Sequence, residues 1–239
     1  GWVQVPTATN FTAPDHSHFI DALPTSGAVL GDLSMRRQLP LGNNTSAAAF
    51  ADVLDRPLTM IRGGYPGTPV EMREPGDPPF ISFVDGMRFA GGRLTSVFSS
   101  VGESDLADDL APFLTTYQGN LAGLAAENGG TLDVFVDPVG SSWPNTGQTD
   151  ERWQLMRRTL WALTQGPQNG SIRFFLGAFA SGITHDDQLH LSVNEGRAEK
   201  MRRQAHAWLR QQGEQAHDRN GPALVSLEKV NAQQVRVGF

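Results

Sequence analysis

Short β-prone runs alternate with helical segments along most of this chain of 239 residues. The clearest helices are predicted over 150–165 and 196–212, where apolar side chains recur with the spacing of one helix face. Runs rich in Val, Ile, Leu and Phe, typical of strands, lie between and around them. Because the order shows no regular strand–helix–strand repeat, the pattern predicts an α+β fold in a single domain.

The same patterns place the remaining elements. Helices are predicted over 46–55 and from residue 105 to about 127. Strands are predicted over 58–62, 80–84, 94–101, 132–136, 172–176, 189–193, 223–230 and 234–238, the last two forming a hairpin. Residues 1–45 are rich in Pro, Thr, Asn and Ser, so they are interpreted as a surface extension with at most one short element.

Charge and composition exclude several classes of partner. The formal net charge is −6 and the isoelectric point is about 5.5, which gives no general attraction to phosphate backbones or anionic lipid. No apolar run approaches the roughly 20 residues that span a bilayer. We therefore expect neither nucleic acid nor a membrane as partner.

Several catalytic classes are also disfavoured. The chain has no cysteine, which removes thiolate nucleophiles and cysteine metal sites. It has no P-loop, no G-x-G-x-x-G and no G-x-S-x-G, and Ser99-Ser100 lacks the glycines that flank a nucleophile elbow. Phosphoryl transfer, dehydrogenase chemistry and Ser-His-Asp catalysis are therefore not predicted.

A cluster of potential metal ligands lies at His185, Asp186, Asp187 and His190, and His16 and His18 could add to it. If these side chains converged, a zinc or manganese hydrolase would be possible. Their spacing matches no helical or hairpin metal motif, so the interpretation favours a solvated turn and no metal.

Three separate pieces of sequence could meet around a dinucleotide. Met60 to Gly64 is a strand ending in Arg62, whose guanidinium can bind two phosphate oxygens while Gly63 lets the backbone come close. Phe98-Ser99-Ser100 offers hydroxyls that could orient a catalytic carboxylate. Glu228 lies in a late β-prone run and could stabilise positive charge on a ribose.

In this order, the pieces resemble the mono-ADP-ribosyltransferase family of the Arg-Ser-Glu type. The resemblance implies an ADP-ribosyltransferase-like split β-sandwich with helical insertions and NAD as co-substrate. It implies that Arg62 and Ser99 bind NAD and that Glu228 is the catalytic acid. The chain departs from the family at Ser226, where an acceptor-orienting Gln or Glu usually lies, so an arginine acceptor is disfavoured.

Further residues follow from the same resemblance. Phe98, Phe89 and Tyr65 are candidates to contact the nicotinamide ring, with Gly63 beside the pyrophosphate. Glu151 is a rival for the catalytic acid, although the helix dipole explains a glutamate in a first helical turn. The gap between Ser99 and Glu228 requires residues 140–215 to be a helical insertion in one catalytic domain of residues 1–239.

The resemblance also implies a biological setting. Chains of this kind are similar to secreted bacterial effectors that act as monomers in the host cytosol on a host protein. Because the second acid is missing, the chain is similar to the effector group that ADP-ribosylates a threonine of ubiquitin. Two alternatives stay open: a non-catalytic effector domain that only binds a host protein, and an NAD glycohydrolase that transfers ribose to water.

Overall fold

A computed structural model gives the structure of the protein. It describes residues 11–13, 16–18, 28–36, 49–50, 53–54, 58–64, 69–89, 91–106, 109–139, 149–168, 170–179, 183, 195–214, 226–231 and 234–238.

A five-stranded parallel sheet forms the centre of the molecule. Its strands are β3 (Ala28–Arg36), β4 (Leu58–Gly64), β5 (Ser96–Ser99), β6 (Leu132–Val136) and β7 (Ile172–Leu176). Their spatial order is β4-β3-β5-β6-β7, and every neighbouring pair runs parallel. The chain therefore starts the sheet near its middle and builds outward in both directions.

Two antiparallel hairpins form separate small sheets. One pairs β1 (Phe11–Ala13) with β2 (His16–His18), and the other pairs β8 (Ser226–Asn231) with β9 (Gln234–Gly238). The second hairpin was predicted from the sequence and is confirmed.

Three of the main helices connect strands of the large sheet, and the fourth follows its last strand, β7. They are α1 (Pro78–Phe89), α2 (Leu110–Glu127), α3 (Asp150–Leu163) and α4 (Glu195–Gln211), preceded by a 3₁₀ turn at Val70–Arg73. Asp109 and Thr149 cap α2 and α3, since their side chains accept from the backbone N–H groups of Ala111 and Arg152. None of the described helices combines the length and the apolar character needed to cross a membrane.

Helices cover both faces of the sheet. One buried cluster joins Val97 and Val134 to residues of α1, α2 and α3, including Trp153. The other joins Phe98 and Phe135 to α4, including Trp208. Consecutive strand residues point to opposite faces, so the Val-Phe pairs of β5 and β6 serve the two clusters in turn. Strands buried on both faces account for the nearly continuous apolar runs in the sequence.

The mixed helix-and-strand class predicted from the sequence is confirmed. The split β-sandwich is not seen in the described residues, where the main sheet is a single parallel one covered on both faces. The β3 strand belongs to residues 1–45, which were interpreted as an extension, yet it lies between β4 and β5. The β7 strand and α4 belong to the predicted insertion and complete the same sheet and its cover.

One predicted strand is wrong. Residues 80–84 lie in α1, and the buried or half-buried side chains Phe80, Phe83, Val84 and Met87 follow the i, i+3, i+4, i+7 spacing of a helix. The predicted strand covered only residues 80–84, which end before Met87. The helical spacing of the apolar side chains could therefore not be recognised within it. The strand predicted over 189–193 lies outside the described residues.

Candidate functional site

The carboxyl ends of the five parallel strands meet at one edge of the sheet, which we call the carboxyl edge. The strands end there at Arg36, Gly64, Ser99, Val136 and Leu176. In open parallel sheets, ligands bind outside this edge, at the point where the strand order reverses. Here the chain passes from β3 to β4 on one side of β3, and the next strand, β5, pairs with the other side of β3. The carboxyl end of β3 is therefore the position where the topology favours a site.

The pairing of β3 is interrupted at this position. Asp32 pairs with Arg62 of β4, and the next pair is Arg36 with Gly64, so β3 uses more residues than β4 over the same step. The backbone of Ser34 lies in the middle of this irregular stretch. Bulges near functional sites re-aim a side chain or end the pairing of a strand. The irregularity therefore distinguishes Ser34 from residues in regular parts of the sheet.

A buried carboxylate lies just beyond the end of β6. Asp137 is nearly inaccessible to solvent, and its Oδ2 accepts a hydrogen bond from Ser100 Oγ at 2.6 Å. Its Oδ1 accepts from the backbone N–H of Ala178 at 2.6 Å. Ser100 follows β5 and Ala178 follows β7. One side chain therefore links the ends of three neighbouring strands.

The helix α4 supplies the positive partner of this carboxylate. Lys200 Nζ lies 3.2 Å from Asp137 Oδ2 and also donates to Ser100 Oγ. Gln204, one turn further along α4, donates from Nε2 to Asp137 Oδ2 at 2.5 Å. Buried charges are tolerated where they are paired and hydrogen-bonded, and both conditions hold here. We call Ser100, Asp137, Lys200 and Gln204 the Asp137 cluster.

An apolar pocket of about 50 Å³ lies beside the carboxyl edge, between α1 and α2. Gly63 of β4 and Val101, just after β5, both line it, and these strands flank β3 on its two sides. We call it the side pocket. Its other lining residues are Val70, Arg73, Pro79, Phe80, Phe83, Tyr117, Asn120, Leu121 and Leu124.

The structure brings two of the predicted catalytic residues to the carboxyl edge. Arg62 and Ser99 lie near the ends of β4 and β5, which flank β3. Glu228 lies in β8, opposite Arg236 of β9, in a hairpin that forms its own small sheet. Ser226, predicted at the acceptor position, is the first residue of β8.

Ser99 and Phe98 are both enclosed in the interior of the protein. Ser99 is fully buried and accepts a hydrogen bond from the Tyr117 hydroxyl at 2.9 Å. Phe98 is fully buried as well, stacked on Phe135 with ring centroids 5.0 Å apart and edge-on to Phe50 at 5.2 Å. An enclosed ring offers no face to a nicotinamide, so Phe98 serves the core instead.

Tyr117 is held as a neutral donor in this arrangement. Burial raises the pKa of its phenol well above the ordinary value, and the hydrogen bond to Ser99 only partly offsets this effect. The phenol therefore keeps its proton and stays bonded to Ser99 over the physiological pH range.

The remaining predicted site residues fall in several places. Gly63 lines the side pocket, Phe89 is the last residue of α1, and Tyr65 lies outside the described residues. Glu151 is exposed in the first turn of α3, where the helix dipole accounts for it.

The histidine-rich segment lies outside the described part of the chain, including His185, Asp186, Asp187 and His190. Among the described residues, no group of three or more His, Asp or Glu side chains is arranged to hold a metal ion.

Sequence reasoning missed Ser34 and Asp137. An apolar run, Ala28 to Leu30, leads directly into Gly31-Asp32-Leu33-Ser34. A strand followed by a turn-forming pair and a serine is a signal for a hydroxyl at a strand end. Asp137 directly follows the confirmed strand β6, which is another position where a polar residue suggests a site.

Comparison with known proteins gives information on the fold. No family profile and no curated protein matches the chain. Among solved structures, a protein from Arabidopsis thaliana matches with a TM-score of 0.53 and 18% identity, over 76% of this chain and 80% of that one. A carbohydrate esterase family 3 protein from Talaromyces cellulolyticus matches with a TM-score of 0.53 and 11% identity, over 77% and 94%.

The inhibitor-bound aryl esterase of M. smegmatis matches with a TM-score of 0.53 and 13% identity, over 78% of this chain and 99% of that one. At these identities, the comparisons establish a shared fold. Two of these structures are described as esterases.

Proposed function

We propose that this protein hydrolyses small carboxylic esters and that Ser34 is the nucleophile. The observation that carries the proposal is the interrupted pairing of β3 at Ser34, at the carboxyl end of the strand where the sheet order reverses. The shared fold with two proteins described as esterases supports an ester as the substrate.

A serine hydroxyl needs a base to become a nucleophile at neutral pH, and the usual base is a histidine oriented by a carboxylate. In the sequence, Asp187 and His190 follow β7, which ends at the carboxyl edge, and precede α4. The first turns of α4 carry Lys200, which contacts the same edge. We therefore assign His190 as the base and Asp187 as its orienting acid.

The reaction then takes two balanced steps. The Ser34 oxygen bonds to the ester carbonyl carbon while its proton passes to His190, and His190 returns that proton to the departing alcohol. Water next attacks the acyl-serine, its proton passes to His190, and the acid is released as Ser34 recovers its proton.

The side pocket sets the size of the substrate. A cavity that holds one water molecule has a volume of at least about 10–15 Å³. A pocket of about 50 Å³ with mostly apolar lining therefore suits an alkyl group of a few carbons. We propose acetyl to butyryl esters as substrates.

Transfer of ADP-ribose from NAD stays a prediction from the sequence, together with its host-protein acceptor and the secreted setting. Its one structural support is that Arg62 and Ser99 lie near the ends of the two strands that flank β3. The burial of Ser99 under Tyr117 makes this the weaker candidate.

The test is hydrolysis of p-nitrophenyl acetate by the full chain and four variants. Ser34→Ala is expected to lower kcat at least about 10³-fold, and His190→Ala by a similar factor. Ser171→Ala is the matched control, because Ser171 is exposed just before β7, at the opposite edge of the sheet. His185→Ala controls for the second histidine. Full activity of Ser34→Ala would overturn the proposal.

A further inference from the structure

The Asp137 cluster joins the parts of the chain that carry the proposed nucleophile and base. Ser100 follows β5, which pairs directly with β3, the strand of Ser34. Lys200 and Gln204 belong to α4, the helix that follows His190 in the sequence. Ala178 follows β7, which precedes His190. The carboxylate of Asp137 therefore contacts the end of the strand beside β3 and, in the sequence, residues on either side of His190.

The cluster is built around charge in a place where charge is costly. The side chains of Asp137 and Lys200 are 2% and 16% exposed. Burying such a pair gives little net stability, and well-packed apolar residues of similar volume often stabilise a fold as much or more. Lysine is also scarce, since Lys200 and Lys229 are the only lysines in the chain. A gain in stability is therefore a poor explanation for an ion pair at this position.

The packing around the carboxylate is tight. A β-carbon on Gly177 would lie 2.1 Å from Asp137 Oδ1, so the glycine allows the backbone after β7 to reach the carboxylate. Because Oδ1 bonds the backbone and Oδ2 bonds the side chains, the carboxylate has one orientation that satisfies all four donors.

We propose that the Asp137–Lys200 pair is a positioning device of the hydrolytic site. It fixes the ends of β5 and β7 against α4, and so holds the strand end beside β3 and the two described stretches that flank His190 in the sequence. This inference rests on the proposed ester hydrolysis. A small error in the position of a catalytic group costs a large factor in rate while the substrate still binds.

The experiment measures kcat and KM for p-nitrophenyl acetate with Lys200→Met, Lys200→Arg and Asp137→Asn. Lys200→Met is expected to lower kcat about 10- to 100-fold with KM within about twofold. Lys200→Arg retains a cation and is expected to recover kcat to within about threefold of the wild type. Asp137→Asn keeps the shape of the side chain and removes its charge. It is expected to lower kcat with little change in KM, and it serves as the test if Lys200→Met does not fold.

Arg173→Met is the matched control. Arg173 and Asp133 form another ion pair on the same sheet, with Nε to Oδ1 at 2.5 Å, near the amino ends of β6 and β7. Its loss is expected to leave kcat unchanged. Lys200→Met or Asp137→Asn with a lower melting temperature but wild-type kcat would overturn the inference and show a purely structural cluster. Wild-type activity that does not depend on Ser34 would instead overturn the proposed function, so the two failures are distinguishable.

Discussion

Gly63 of β4 and Phe83 of α1 approach each other so closely that a β-carbon on Gly63 would lie 2.3 Å from Cδ2 of the phenyl ring. Phe83 is 3% exposed and lines the side pocket with Gly63. A side chain at position 63 would therefore force the ring to move, and the pocket is the open space beside it.

Gly63→Ala is expected to narrow the side pocket. Because the displaced ring takes up part of about 50 Å³, longer acyl groups should lose more binding than short ones. We expect kcat/KM for p-nitrophenyl butyrate to fall about 10-fold more than that for p-nitrophenyl acetate. Steady-state kinetics with the two esters check this selectivity.

Gly119→Ala is the control for that prediction. Gly119 is exposed on α2, and a β-carbon there would meet no atom within 4 Å. Its selectivity between acetate and butyrate should equal that of the wild type. An unchanged selectivity in Gly63→Ala would show that the side pocket does not hold the acyl group.

Tyr117→Phe is expected to destabilise the protein at neutral pH. The change removes the hydrogen bond to Ser99 and leaves a buried hydroxyl without its phenolic donor, which costs about 1–3 kcal/mol. Urea unfolding of the two proteins measures the difference. A difference below about 0.5 kcal/mol would contradict the importance of this contact.

The same residue predicts an alkaline effect. Burial raises the pKa of Tyr117 in the folded protein above its ordinary 10.0. Above pH 10.0, the unfolded chain loses this proton while the folded chain keeps it, so the free energy of unfolding falls as pH rises. Tyr117→Phe has no phenol to titrate at this position. The difference in the free energy of unfolding between the wild type and this variant should therefore become smaller between about pH 8 and about pH 11. A constant difference over this range would contradict the assignment.

Asn128→Ala is expected to weaken the turn between α2 and β6. The buried amide accepts from the Leu94 N–H at 2.6 Å and donates to the carbonyls of Leu94 and Thr131. Loss of all three bonds should cost about 2–4 kcal/mol in urea unfolding. Gln154→Ala, at an exposed position of α3, should stay within about 0.5 kcal/mol of the wild type.

The NAD prediction can be decided separately. With etheno-NAD as substrate, we expect the wild type and Glu228→Gln to give the same fluorescence signal. A release of nicotinamide that depends on Glu228 and persists in Ser34→Ala would favour the ADP-ribosyltransferase prediction over ester hydrolysis.

The sequence predicted the strands whose side chains are apolar on both faces. The bounds of β6 and β7 are those predicted, because each is a short, mostly apolar run with glycine or polar residues at both ends. The strand β3 was missed because Gly31 and Asp32 interrupt its pattern. The irregular pairing that marks the candidate site begins just after these two residues.

The partners within the site could not be predicted from local patterns. Asp137 and Lys200 are far apart in the sequence, and their contact follows from the order of the strands and the packing of α4. Strand order depends on pairing between distant segments. For this reason the parallel arrangement of the strands could not be predicted from the sequence either. The resemblance to ADP-ribosyltransferases pointed to Arg62 and Ser99, near the ends of the strands that flank β3, and to Glu228, in a separate hairpin.

If Ser34 is an activated nucleophile, as we propose, it should react covalently with an electrophilic phosphonate. After incubation with a small fluorophosphonate, intact-protein mass spectrometry of the wild type and of Ser171→Ala is expected to show one phosphonyl adduct, which peptide mapping assigns to Ser34. Ser34→Ala is expected to keep its unmodified mass. An adduct on Ser34→Ala at the wild-type rate, or a wild-type adduct mapped to another residue, would contradict the claim.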